Sequence, residues 1–186
     1  MANQLEGKQH ITLALIAVYS TVAFMGTILV QVPIPGTDMF FNLSDTVVMV
    51  AALLHGPLIG GITGFLGPAL ADALSSPQFI LVTSVVKGLE GIIIGLIAWQ
   101  STKRSILKPF IALLIGVIFL VGGYFLFEAF IYPLLADRVP FYPLTDVDIA
   151  LTQIIPNLIH GFISAIISFG ILRIFGKKSN HYGLKL

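Results

Sequence analysis

The chain has 186 residues, of which 56% are hydrophobic and only 10% are charged. Soluble domains carry roughly 25% charged residues, so this composition excludes an ordinary soluble domain and indicates a protein of the lipid bilayer. Ten basic and nine acidic side chains give a net charge of +1, which excludes the basic face of a nucleic-acid binder. The absence of cysteine excludes disulfides and thiolate chemistry.

Clusters of proline, glycine and charge divide the chain into apolar segments, each approaching the ~20 residues that cross a membrane. We predict an all-α integral membrane protein with a single transmembrane domain over 1–186 and six transmembrane helices. The predicted spans are 11–30, 43–54, 58–74, 79–99, 106–132 and 149–175. The first is longer than a signal-peptide core and is interpreted as retained. The second is short, so it must be tilted, extended or covered by protein.

The distribution of basic residues predicts the orientation, because they stay preferentially in short cytoplasmic loops. Eight of the ten basic residues fall before the first span, in the loop between spans four and five or the first three residues of span five, or in the last three residues of the final span and beyond it. The loops on the opposite side are mainly acidic. Both termini are therefore predicted to be cytoplasmic.

Several polar side chains fall inside the predicted spans, where an ionised group costs about 2.5–3.5 kcal/mol on insertion scales and usually faces a cavity or a partner. They are Asp45, Asp72, Lys87, Glu90, Glu128, Asn157 and His160. In the predicted orientation all lie in the outer half of the bilayer or at its midplane. This shared depth predicts a wet pocket that opens to the outside, and not a continuous channel.

Five of these residues also have a purely structural interpretation. Lys87 and Glu90 are three residues apart on one helix face, so they are either ligand contacts or a mutually neutralised pair. His160 is either a ligand contact or an interhelical hydrogen-bonding group. Asp45 and Asp72 are either ligand contacts or residues at the aqueous interface.

Small residues recur at intervals of four, a spacing that lets membrane helices approach closely. The glycines are Gly56, Gly60 and Gly64 around span three, and Gly91 and Gly95 in span four. They indicate internal packing, with a docking face for another membrane subunit as the alternative. Two pairs in span one, Ala17 with Thr21 and Ala23 with Thr27, have the same ambiguity.

Motifs for catalysis are missing from the sequence. It contains no phosphate-binding Gly-x-x-x-x-Gly-Lys-Ser/Thr loop, no His-Glu-x-x-His and no Gly-x-Ser-x-Gly. We therefore predict a transport subunit with no enzymatic activity, no cofactor and no metal. The alternative is an autonomous proton-coupled carrier of a small polar solute, in which Glu90, Lys87 and His160 relay protons. An intramembrane enzyme that uses His160 is the weakest hypothesis.

One stretch resembles a known family. FFNLSDTVVMVAALLHGPLIGGITGFLGPALADAL, followed by VVKGLEGIIIGLIA, resembles the S components, or substrate-binding subunits, of energy-coupling factor (ECF) vitamin transporters. It is most similar to the hydroxymethylpyrimidine and pyridoxine branch of the riboflavin-type ECF family. The close match covers about residues 30–99. The elements that carry it are Asn-Leu-x-Asp, the glycine-rich hairpin, Ala-Asp and Lys-Gly-Leu-Glu-Gly.

The resemblance implies a six-helix S-component bundle in a prokaryotic cell membrane. Such a subunit captures a vitamin or vitamin precursor from outside, here pyridoxine or a hydroxymethylpyrimidine-like heterocycle. Its implied partners are a transmembrane coupling subunit and two cytoplasmic ATPase subunits, in which ATP hydrolysis would reside. Because acids outnumber Lys87 in the outer half, a neutral or weakly basic heterocycle fits better than a polyanion.

The resemblance, together with the predicted depth, also assigns residues. The predicted substrate-binding residues are Asn42, Asp45, Asp72, Lys87, Glu90, Glu128, Asn157 and His160. The family's Ala-x-x-x-Ala docking signature is absent from helix one in strict form. The substitutes predicted to contact the coupling subunit are Ala17, Thr21, Ala23 and Thr27.

Overall fold

The computed structural model describes residues 2–33, 40–98, 106–136 and 145–179. These ranges are almost entirely helical. The helices are α1 (Ala2–Leu29), α2 (Ser44–His55), α3 (Pro57–Ser75), α4 (Ile80–Ala98), α5 (Leu107–Leu126), α6 (Tyr132–Ala136) and α7 (Val147–Ser179). A 3-10 turn (Pro77–Phe79) precedes α4, and a π-helical turn (Phe127–Ile131) joins α5 to α6.

Five helical segments of the described chain are long and apolar enough to cross a membrane. They are Glu6–Leu29, Pro57–Ser75, Pro77–Ala98, Leu107–Ala136 and Val147–Gly176. The prediction of an all-α membrane protein is confirmed. The count of six spans stays a prediction, because α2 has only 12 residues and a full span needs ~20. Most of α2 is buried against α1, α3, α4 and α7, so protein covers this short helix.

The connection between α2 and α3 is a one-residue turn. Gly56 has a φ of 91°, in the left-handed region that glycine adopts without steric cost. Its N–H donates to the carbonyl of Ala52 at 2.9 Å, and Pro57 begins the next helix at a position that needs no N–H donor. The two helices therefore form a tight hairpin, as the sequence predicted.

A short antiparallel pair of strands follows α1. The strands are β1 (Val32–Pro33) and β2 (Phe40–Phe41), with Val32 opposite Phe41. The sequence analysis missed them, because two residues per strand are too few to produce a recognisable alternation.

Glycines bring α3 against its neighbours at backbone distance. A Cβ added at Gly64 would collide with the backbone carbonyl of α4, one at Gly91 with the carbonyl of Gly60, and one at Gly95 with Pro57. The glycine spacing therefore reflects packing inside the bundle, and the alternative of a docking face is wrong for these residues.

The two ends of the bundle differ in composition. We call the end where α1 finishes and α2, α4 and α7 begin the cavity end, and the end at Gly56 the hairpin end. A cluster of apolar side chains fills the bundle toward the hairpin end. Its buried members are Met49, Ala52, Leu53, Ile94, Ala98, Ala112, Leu113, Val117, Ala165 and Leu172. Many of the buried charged and polar side chains lie at or toward the cavity end.

Candidate functional site

A cavity of about 160 Å³ lies at the cavity end, with walls from α1, α3, α4, α5, α6, α7 and the π-helical turn. Four of the eight predicted site residues line it: Asn42, Asp72, Lys87 and Glu128. The other four, Asp45, Glu90, Asn157 and His160, are buried and do not line it. Predicted site residues from four separate parts of the chain therefore meet at one cavity. The other half of the eight predicted residues lies behind the cavity wall.

Lys87 is held by the start of α2. Its Nζ lies 2.7 Å from Asp45 Oδ1 and donates to Ser44 Oγ at 2.7 Å. Ser44 in turn donates from Oγ and from its N–H to Asn42 Oδ1, at 2.6 and 3.0 Å. Asn42 thereby satisfies an amide that the first turn of a helix leaves without an intrahelical partner. The interpretation of Lys87 and Glu90 as a mutually neutralised pair is wrong, because the partner of Lys87 is Asp45.

His160 joins α7 to the same cluster. Its Nε2 lies 3.0 Å from the backbone carbonyl of Asn42 and 3.2 Å from Asp45 Oδ2. A carbonyl oxygen only accepts hydrogen bonds, so Nε2 carries the hydrogen and donates. The Phe41 ring packs on the imidazole at 4.9 Å between ring centroids. His160 is therefore an interhelical hydrogen-bonding group, and Asp45, 0% exposed, is not at the aqueous interface.

Glu90 lies one helical turn beyond Lys87 and has a different environment. It is 0% exposed, and neither carboxylate oxygen has a hydrogen-bond partner within the part of the chain that the structure describes. Its side chain approaches α5 beside Gly116. The Glu90 carboxyl is thus a buried polar group without compensation, next to the paired Asp45 and Lys87.

The acidic wall of the cavity consists of Asp72 from α3 and Glu128 from the π-helical turn. Thr83 is a hydrogen-bonding neighbour of Asp72, and its hydroxyl lies 3.4 Å from that of Tyr124. The sequence analysis did not single out Thr83 or Tyr124. Their only sequence signal is a hydroxyl within an apolar span, which is weak on its own.

The backbone around Glu128 is tied down. The Thr145 hydroxyl donates to the Glu128 carbonyl at 2.6 Å, and the Tyr132 hydroxyl donates to the carbonyl of Gln78 at 2.9 Å. One-turn π-helices inside α-helices occur frequently at functional sites. The turn and its two tethers fix the position from which Glu128 reaches the cavity.

The small residues of α1 separate into two faces. Ala17 and Thr21 are exposed on the bundle surface. Ala23 is fully buried against Gly67, while Thr27 lines the cavity and donates its hydroxyl to the Ala23 carbonyl at 3.0 Å. In this structure the prediction that Ala23 and Thr27 contact a coupling subunit is corrected, because α3 and the cavity occupy their surroundings.

No group of three or more His, Asp or Glu side chains that could hold a metal ion occurs in residues 2–33, 40–98, 106–136 and 145–179.

The fold and the cavity define a multi-pass helical membrane protein with a polar site at one end. A family model described as "ECF-type riboflavin transporter, S component" matches residues 8–177. The chain belongs to this family.

Two relatives illustrate how far the similarity extends. The chain is 39% identical over 98 residues to a Pyrococcus woesei protein named "Uncharacterized protein in gap 3'region", a match that covers 53% of this chain and 65% of that protein. It is 38% identical over 72 residues to a UPF0397 protein of Streptococcus agalactiae, covering 38% of each. The chain therefore matches less than two thirds of the length of either relative.

Proposed function

We propose that this protein is the high-affinity substrate-binding subunit of an ECF-type importer in a prokaryotic cell membrane. It captures a water-soluble vitamin or vitamin precursor in the cavity. The observation that carries the proposal is the convergence of Asn42, Asp72, Lys87 and Glu128 on one cavity at one end of an apolar bundle. Ligand sites combine an enclosed space with a few polar groups that fix orientation, and this cavity has both.

The size of the cavity supports a small ligand. A cavity of ~150 Å³ accommodates benzene, so about 160 Å³ suits a single six-membered ring with short substituents. The three fused rings and sugar chain of riboflavin need more room. Phe79 and Tyr124 line the cavity, are only partly buried and provide aromatic surfaces for stacking on such a ring. Single-ring compounds of the size of pyridoxine and hydroxymethylpyrimidine are therefore our preferred class of ligand.

Transport requires partners in this proposal. The sequence has no phosphate-binding loop, so a transmembrane coupling subunit and two cytoplasmic ATPase subunits would supply the energy. Ala17 and Thr21, both exposed on α1, are the proposed contact with the coupling subunit. The cavity end faces outward and both termini are cytoplasmic in this arrangement, in accordance with the positions of the basic residues.

Mass spectrometry of the ligand that co-purifies with the detergent-extracted protein tests the proposal directly. Calorimetric titration with pyridoxine, hydroxymethylpyrimidine and riboflavin then ranks the ligands. We expect one of the two single-ring compounds to bind at least about 100-fold more tightly than riboflavin, a difference of about 2.7 kcal/mol. Tightest binding by riboflavin would overturn the size argument. A protein that co-purifies with no small molecule and binds none of the three would overturn the function.

A proton-coupled carrier is the second candidate, and Glu90 is the observation that favours it. An unpartnered buried carboxyl in a membrane helix is a frequent feature of proton pathways. Vesicles that contain this chain alone separate the two candidates. Uptake of the co-purified ligand under a proton gradient, without partner subunits or ATP, supports the carrier. Uptake that requires both the partner subunits and ATP supports the ECF subunit.

A further inference from the structure

We infer that the ligand carries a positively charged nitrogen and that the Glu128 carboxylate binds it. This inference rests on the proposed function, since it concerns the ligand of the same cavity. It goes further because it names the charge of the ligand and the residue that selects for that charge.

The charge of the cavity wall is the first argument. Lys87 is the one lysine or arginine that lines the cavity within the described ranges, and its ammonium group is already bound by Asp45 and Ser44 at 2.7 Å each. Asp45 lies behind the wall and compensates Lys87 from there. What the cavity presents to a ligand is therefore the pair of acids, Asp72 and Glu128.

The second argument is the state of the Glu128 carboxyl. Glu128 is only 6% exposed, and its Oε2 atom has no hydrogen-bond partner in the described part of the chain. A buried polar atom without a partner costs free energy that a ligand donor would recover. Asp72 already has Thr83 beside it, so Glu128 offers the more available acceptor.

The third argument is the position of Glu128. The π-helical turn places it on the cavity wall, and Thr145 holds its backbone carbonyl at 2.6 Å. Two partly buried aromatic residues of the same wall, Phe79 and Tyr124, add rings of the kind that attract cations. A fixed acid beside aromatic rings is a suitable site for an ammonium or protonated-amine group on a small ring.

Two matched ligand pairs test the inference with the full-length protein in detergent. The first pair is pyridoxamine and pyridoxine; the second is the aminomethyl and hydroxymethyl forms of 4-amino-2-methylpyrimidine. Within each pair the ring is constant, and an ammonium group replaces a hydroxyl group. In the wild-type protein we expect the ammonium member of at least one pair to bind about 10- to 100-fold more tightly, the range for a hydrogen bond between charged groups.

Glu128→Gln keeps the size of the side chain and one acceptor oxygen, and it removes the charge. It should remove that preference by weakening the ammonium member about tenfold or more and the hydroxyl member less than about threefold. Asp148→Asn is the matched control, because Asp148 is an exposed acid on α7 and does not line the cavity. It should leave the affinity for all four compounds unchanged.

Failure of this inference about the ligand's charge can be distinguished from failure of the proposed function. A co-purified ligand that is neutral or anionic at pH 7 overturns the inference while supporting a binding subunit. Equal loss of both members of a pair in Glu128→Gln also overturns it, because the carboxylate would then act without regard to ligand charge. A protein that binds no ligand in any of these measurements overturns the proposed function itself.

Discussion

The two ends of the bundle use buried space in opposite ways. At the hairpin end, Gly91 and Gly95 let α3 and α4 meet at backbone distance, and apolar side chains fill the remaining volume. At the cavity end, the helices separate around about 160 Å³ that is lined with acids, amides and hydroxyls. Lipid is as apolar as a leucine core, so close packing stabilises membrane bundles more than apolar burial does. Close packing at the hairpin end therefore stabilises the fold, and the cavity end is available for binding.

A second contrast lies within the cavity end. Asp45 and Glu90 are both 0% exposed. Asp45 has Lys87 at 2.7 Å and His160 at 3.2 Å, whereas the Glu90 oxygens have no hydrogen-bond partner among the described residues. The two acids are therefore equally buried, but among the described residues only Asp45 has an ammonium group at ion-pair distance. Substitutions at the two positions should have opposite consequences for stability.

The largest effect is expected at the close helix contact. In Gly64→Leu, the new side chain meets the backbone carbonyl of Lys87, so α3 and α4 must separate. We expect a loss of more than about 4 kcal/mol, which only severe disruptions reach, observed as loss of monodisperse protein in size-exclusion chromatography. Gly122→Leu is the control, because a Cβ there meets no atom of the described residues within 4 Å. Normal yield of Gly64→Leu would contradict the close packing of α3 on α4.

The next effect concerns the buried ion pair. Lys87→Met leaves Asp45 without its ammonium partner, which should cost about 3 kcal/mol, at the lower end of the range for breaking a buried pair, because His160 still contacts Asp45. Thermal unfolding in detergent measures the change. The double variant Asp45→Asn/Lys87→Met should recover most of the loss. A double variant whose loss equals the sum of the two single losses would show that the pair is not coupled.

The sequence predicted the location of the cavity because depth follows from span boundaries and basic loops. Asp72, Lys87 and Glu128 were identified in this way, whereas Asn42 was identified from the family resemblance. The pairing of Lys87 was not predictable, because the helical period places Glu90 on the same face and contains no information on how α2 leans against α4. The π-helical turn at Glu128 was also missed, since its sequence, FEAFI, has no proline or glycine to mark it.

The small residues of α1 show a different kind of error. Ala17 and Ala23 are six residues apart, which places them about 120° apart around a helix. They could not have shared one docking face, and the structure buries Ala23 while Ala17 is exposed. The helical period already implies that the two residues lie on different faces. The two pairs were nevertheless treated alike, because both have the same four-residue spacing of small residues.

A smaller effect is expected at the unpartnered acid. Glu90→Gln replaces a carboxyl that has no hydrogen-bond partner in the described part of the chain by an uncharged amide of the same size, so the free energy of unfolding should change by less than about 1 kcal/mol or increase. Because Glu90 does not line the cavity, ligand affinity should change less than about threefold. Asp45→Asn provides the matched comparison and should be destabilising. If Glu90→Gln destabilises as strongly as Asp45→Asn, the Glu90 carboxyl has a partner and the contrast between the two acids is lost.

The smallest effect on stability is expected on the exposed face of α1. Ala17→Trp adds a large side chain to a surface residue, so the free energy of unfolding should change by less than about 0.5 kcal/mol, with unchanged ligand affinity. If Ala17 contacts the coupling subunit, however, the variant should lose co-purification with that subunit and ATP-dependent uptake. Val22→Trp is the control, because Val22 is also exposed on α1 and lies about 140° away around the helix. Equal loss in both variants would indicate a general defect of α1, whereas loss confined to Ala17→Trp would locate the partner on the exposed face of α1 that contains Ala17.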